Sequence, residues 1–121
     1  MGATNSGPIV VRTTDGLGNS VVLTTERLGH IERGHPELIG RTDEILAALQ
    51  DPDGYRVSNT DPLVLALEAI SHPVTSQVVR AVVRYEDEGC VAGTSIGFVL
   101  TAYTTTSRQT PEWGKFESLR K

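Results

Sequence analysis

Cysteine is almost absent. Cys90 stands alone in 121 residues, which excludes an internal disulfide and any zinc site built from several thiolates. No apolar run approaches the ~20 residues with which a helix spans a bilayer. The stretch from Met1 to Pro8 carries neither a basic residue nor an apolar run, so it lacks the make-up of a secretory signal. A flexible N-terminus is expected over 1–8 and a single domain over 9–121. Positive charge is also short. A formal net charge of −4 argues against broad electrostatic adhesion to nucleic acid, while leaving room for a local basic pocket. The charge is uneven: residues 103–121 hold Arg108, Lys115, Arg120 and Lys121 against Glu112 and Glu117. There is no internal repeat and no low-complexity segment, and a chain of this size buries enough surface to fold as one domain without staples.

What is present reads as a small α+β domain. Residues 9–13 (Ile-Val-Val-Arg-Thr) and 21–23 (Val-Val-Leu) flank Asp15-Gly16-Leu17-Gly18-Asn19, which has the turn chemistry of a hairpin with a loose loop. Thr24 or Thr25 can cap a helix whose apolar face is Leu28 and Ile31. Gly34 suits the position just after such a helix, and Pro36 drives His35 out of the helical region. Thr42-Asp43-Glu44 opens a second helix with Ile45, Leu46 and Leu49 inward, stopped by Asp51-Pro52-Asp53-Gly54. Strands are expected at 55–59, 63–70, 77–85 and 96–104. Their connections are short and polar, which favours an antiparallel meander. The fold expected is therefore α+β: an N-terminal hairpin and two helices packed on a four-stranded antiparallel sheet.

Strand side chains alternate between faces. One face of each long strand is wholly apolar: Leu63, Leu65, Leu67 and Ala69; Val79, Ala81, Val83 and Tyr85; Ile96, Phe98, Leu100 and Ala102. These faces are expected against the helices. The other faces would share Glu68, Arg80, Arg84, Thr101 and Tyr103 on an open, concave surface. A solvated sheet face carries such residues too, and a cross-strand Glu–Arg pair is ordinary. The same set nevertheless suits phosphoryl transfer without a metal. RNA cleavage by its own 2′-hydroxyl needs a base, an acid and donors on the phosphate oxygens, and arginine grips phosphate in a planar fork.

The acid/base groups come from Gly29-His30-Ile31-Glu32-Arg33-Gly34-His35-Pro36-Glu37. Histidine as a residue type suits either proton role near neutrality, and two lie within nine residues there, one on the helix and one at the corner after it. Their spacing is no metal motif on a helix face, so no metal is expected. Arg33 fits a helix C-terminus, where positive charge meets the helix dipole. The hydroxyl-rich exit from the last strand, including Thr105, offers donors to a phosphate. Trp113 would either stack a base or pack back on the domain.

Several of these segments occur together in a known order. Val-Val-Leu-Thr is followed by Glu-Arg-Leu-Gly-His-Ile, Arg-Gly-His-Pro-Glu-Leu, Leu-Gln-Asp-Pro-Asp, Val-Val-Arg-Ala-Val-Val and Gly-Phe-Val-Leu-Thr-Ala-Tyr. Over about residues 17–104 the chain resembles the phage and polymorphic-toxin nucleases of the barnase/EndoU/colicin E5-D/RelE-like superfamily. The resemblance implies a toxin-like, cofactor-free, metal-independent endoribonuclease that yields a 2′,3′-cyclic phosphate. His30 and His35 match the helix motif, Thr101 and Tyr103 the final strand, and Arg80 a basic strand position. With Glu68, inferred from face alternation, these form the expected catalytic set, and Arg33, Arg84 and Thr105 are expected at the substrate. The implied partners are RNA and a cognate inhibitor (an antitoxin or immunity protein), with no membrane. The implied place of action is the cytoplasm, after delivery from a larger secreted or phage-encoded protein. The chain departs from the pattern at Gly34, between Arg33 and His35, and at Leu28. Those departures keep open a catalytically inactive RNA- or protein-binding module.

Overall fold

The computed structural model describes residues 9–72, 74–106 and 112–120; the expected N-terminal leader, residues 1–8, lies outside them. Strands β1 (Ile9–Thr14) and β2 (Ser20–Thr24) form the expected hairpin. Helix α1 (Thr25–Gly34), a 3₁₀ turn (Pro36–Leu38) and helix α2 (Thr42–Gln50) follow. Strands β3 (Gly54–Val57), β4 (Val64–His72), β5 (Gln77–Tyr85) and β6 (Ile96–Thr105) run as an antiparallel meander. A two-residue strand β7 (Glu117–Ser118) returns to pair with β3.

The helix ends follow from local chemistry. Thr24 is extended, and its hydroxyl accepts from the Arg27 amide at 3.1 Å, which starts α1. Gly34 does not take the position after the helix, as the sequence suggested. It is the last helical residue, and His35 (φ −138°) ends the helix because Pro36 bars it from helical geometry. At α2, Arg41 rather than Thr42 precedes the first turn. No side chain caps it; the Arg41 guanidinium grips Glu44 instead, with two 2.7 Å bonds.

The sheet is not the four-stranded antiparallel one expected. Among the described residues it is mixed and has seven strands, in the order β1-β2-β6-β5-β4-β3-β7. The hairpin does not lie over the sheet but extends it, because β2 pairs parallel to β6 through Ser20–Ile96, Val21–Gly97 and Val22–Phe98. The α+β class stands. Both helices cover one face, where Ile31, Leu38, Ile45 and Leu49 meet Leu65, Leu67, Ala81 and Val83 in a fully buried core. Burying each large aliphatic side chain stabilises by ~1.5–3 kcal/mol relative to exposure, so Ile31 and Leu38 set where the His35 corner docks.

The apolar faces of β4 and β5 pack as expected, but that of β6 does not. A β-bulge lies between the pairs Val82–Thr101 and Val83–Val99, with Leu100 as the extra residue. Before the bulge the alternation is therefore inverted. Gly97 and Val99 turn to the core, while Ile96 and Phe98, each 45% exposed, lie on the opposite face. Gly97 sits beneath Val83 and Tyr85, where a Cβ would collide with both side chains.

Candidate active site

The face away from the helices holds a charged row that runs straight across the sheet. Register places Glu68 of β4 opposite Arg80 of β5, and Arg80 opposite Tyr103 of β6. Arg80 Nε donates to Glu68 Oε2 at 2.7 Å, and Arg80 Nη1 to the Tyr103 hydroxyl at 3.0 Å. From β3, Arg56 Nε donates to the same Glu68 oxygen at 3.1 Å. Burial works against the charge on Arg80, but the bond to Tyr103 and the negative charge of Glu68 outweigh it, and its pKa is raised. Glu68, Arg80 and Arg56 are buried, at 5%, 1% and 6% exposure.

They are buried because this face is not open, as expected, but partly covered. The C-terminal stretch crosses it, held by a bridge between Trp113 and Ser58 and by the Asn59 and Gly114 amides, which donate to Glu112 and Val57 carbonyls at 2.8 Å. The Trp113 ring lies 5.8 Å from the Arg80 guanidinium, and the Phe116 ring 5.4 Å from that of Arg56. Gly54 makes room: a Cβ there would strike Phe116 and the Glu117 carbonyl. Arg120 then ties the stretch down by pairing with Asp51 and Asp53 at 3.0 and 2.9 Å. Burial raises the Asp53 pKa, but the Ile70 amide and Arg120 outweigh it, and the carboxyl titrates below its ordinary 3.8. The folded pKa is depressed, so this carboxylate contributes stability above pH 3.8 that is lost as pH falls below it. In Arg120→Ala the acid side of a plot of Tm against pH should therefore be flatter than in wild type; an unchanged slope would remove Arg120 as the cause.

His35 approaches from the free edge of β6, beyond the last β2 pair. Its ring centroid is 5.4 Å from that of Tyr103, tilted by 31°. Glu37 fixes the corner: its carboxylate accepts from the Thr104 amide at 3.3 Å and the Thr104 hydroxyl at 3.2 Å. The same oxygen lies 3.8 Å from His35 Nδ1, within ion-pair reach but beyond a hydrogen bond. Burial raises the Glu37 pKa, yet its own and Thr104's backbone amides, the Thr104 hydroxyl and His35 outweigh it, so the carboxyl sits below its ordinary value and is ionised near neutrality.

No protein-family model, curated protein or solved structure matches this chain.

Of the expected residues, His35, Tyr103, Arg80 and Glu68 are joined in one continuous series of contacts. Thr101 and Thr105 share the Tyr103 face, opposite Val82 and Val78. His30 is exposed on α1, and among the described residues no hydrogen bond or ring contact joins it to the group. Arg33 is exposed, and its guanidinium folds back over Gly29. Arg84 lies on the same face but opposite Phe98, with Asp61 at 2.6 Å. Among the described residues, no three His, Cys, Asp or Glu side chains are grouped to hold a metal ion, and no helix is long and apolar enough to cross a membrane. The row also contains Arg56, and the corner rests on a Glu37–Thr104 contact, neither of which is among the expected site features. Arg56 could have been found, since it alternates with Tyr55 and Val57 in a strand one short turn from β4. The Glu37–Thr104 contact spans 67 residues and left no local signal.

Proposed function

We propose that this protein is a metal-independent endoribonuclease acting at the His35–Tyr103 edge of β6. The observation that carries the reading is the imidazole set against a phenol that is itself anchored by a buried Arg80–Glu68 pair. Because the phenol oxygen accepts from Arg80, its own proton is free to donate to a non-bridging phosphate oxygen. Glu37 on the Nδ1 side leaves Nε2 for the substrate. In the reaction the 2′-oxygen bonds to phosphorus and its proton passes to water. The bond from phosphorus to the 5′-oxygen breaks, and His35 protonates that oxygen. The products are a 2′,3′-cyclic phosphate and a 5′-hydroxyl, and the imidazole regains its proton from solvent.

Buried as they are, Arg80 and Glu68 act here as positioning residues for Tyr103 rather than as groups that touch the phosphate. RNA is the partner in this reading, and a protein inhibitor would cover the same edge. Total RNA incubated with the protein in EDTA should be cut to those two ends. His35→Ala should cut on the order of a hundredfold more slowly, and His30→Ala at the wild-type rate. Intact RNA with wild-type protein would remove the enzyme reading.

The coverage of Arg80 and Arg56 by Trp113 and Phe116 favours a second reading, a binding module without catalysis. It predicts retarded but uncut RNA in a gel.

A further inference from the structure

The face that carries the charged row also holds a pocket of about 230 Å³. Ile70, Val78 and Phe116 give it apolar walls, Glu68 lines it, and Asp53, Ser118 and Arg120 complete it. Glu68 has an unspent oxygen. Both arginines bond to Oε2, while Oε1 accepts no hydrogen bond among the described residues, although the side chain is only 6% exposed. A buried acceptor without a donor is unfavourable, so the pocket is poised to take a donor.

Charge narrows the ligand. Arg56 and Arg80 already more than offset the carboxylate of Glu68, and Arg120 is shared between Asp51 and Asp53. Among the described residues, the site holds no surplus negative charge for an ammonium ion, and each of its guanidiniums is already paired with a carboxylate. Size narrows it further: ~300–1,000 Å³ is usual for a drug-sized ligand, so this pocket takes one ring system. A flat, neutral ring with an N–H donor on its edge, able to lie against Phe116, meets all three conditions.

We propose that this pocket is a subsite for a nucleobase bearing an exocyclic amino group, which donates to Glu68 Oε1. The choice of a nucleobase among such rings rests on the endoribonuclease reading. Glu68 and Tyr103 flank Arg80 at two strand spacings, ~9.5 Å, a span comparable to that from a base edge to its own phosphate. A base in the pocket therefore places a phosphate near Tyr103 and His35. Adenine, cytosine and guanine carry the amine. Uracil presents one N–H between two carbonyl oxygens, which would face the carboxylate.

The test is titration of the full chain with adenosine, cytidine, guanosine and uridine, followed by NMR. At least one amino-bearing nucleoside should shift the Ile70, Val78 and Phe116 signals and bind about tenfold or more tightly than uridine. Ile70→Trp, which fills the mouth from a half-exposed position, should abolish that binding; Ser118→Trp serves if the first variant does not fold. Equal affinity for all four nucleosides, no binding by any, or wild-type binding in a folded filled variant overturns the subsite. Mapping the cut ends separates the two proposals. RNA cut without nucleoside discrimination sinks the subsite alone, and discrimination without any cutting sinks the nuclease alone.

Discussion

Glu68→Leu should destabilise the protein by ~3–5 kcal/mol, because it leaves two buried guanidiniums without their shared carboxylate. For a domain of this size that is a fall in Tm of ~10–20 °C. The cost comes from the stranded charges and not from the absence of the pair as such. Replacing all three charged residues by apolar ones of similar length, as in Arg56→Met, Glu68→Leu and Arg80→Met together, should recover most of the loss. Thermal unfolding followed by circular dichroism measures both. A single variant within ~1 kcal/mol of wild type would mean that water or neighbouring groups reach Arg80 and Arg56 despite their burial at 1% and 6% exposure. The triple variant also separates stability from chemistry, since it should fold yet lose the anchor of the Tyr103 hydroxyl.

Asp15→Ala should cost ~3–4 kcal/mol, as it strips the acceptor from several buried donors at once. Asp15 is 4% exposed. It accepts from the Leu17 and Asn19 amides at 2.9 Å, from Asn19 Nδ2 at 3.0 Å and from the Tyr85 hydroxyl at 2.6 Å. Asn19 carries the network onward, donating to the Cys90 carbonyl at 2.8 Å and accepting from the Ser95 amide at 2.9 Å. The tip of the β1–β2 hairpin is thereby fastened to the loop before β6. Burial, and then Asp15, push the Tyr85 phenol far above its ordinary range, so it remains a donor. Tyr85→Phe is the informative contrast: it leaves Asp15 with three donors and should cost only ~1–2 kcal/mol. Denaturant titration of the two variants gives both values, and equal losses would contradict this account of the network.

Much of the scaffold was legible because it is local. Thr24 as a cap, Pro36 as the cause of the His35 corner, and the apolar sides of β4 and β5 each follow from residues within a few positions of one another. Alternation alone placed Glu68, Arg80 and Tyr103 on one face. Tyr103 keeps its expected face because the bulge at Leu100 falls before it in the strand. The same bulge reversed Ile96 and Phe98, and no composition signal marks it, since Leu100 is as apolar as its neighbours. The parallel β2–β6 pairing joins segments far apart in sequence, with no turn residue to announce it. Coverage of the charged row by Trp113 and Phe116 depends on the missing Cβ of Gly54, which read simply as a helix stop. His30 looked the equal of His35 in the sequence, yet α1 turns it to solvent while the 3₁₀ turn brings His35 to β6.

The pairing of β2 with β6 also dictates an order of events. The first hairpin cannot dock until residues 96–98 exist to receive it, and Tyr103, the partner of both His35 and Arg80, lies later still. Long-range pairings of this kind close slowly, because the intervening loop must be ordered first. During synthesis on a ribosome, α1, α2 and β3 to β5 can emerge and collapse while His35 has no phenol beside it. The His35–Tyr103 edge thus forms only once β6 is present, and a partial chain ending before β6 carries the imidazole without the surface on which it would act.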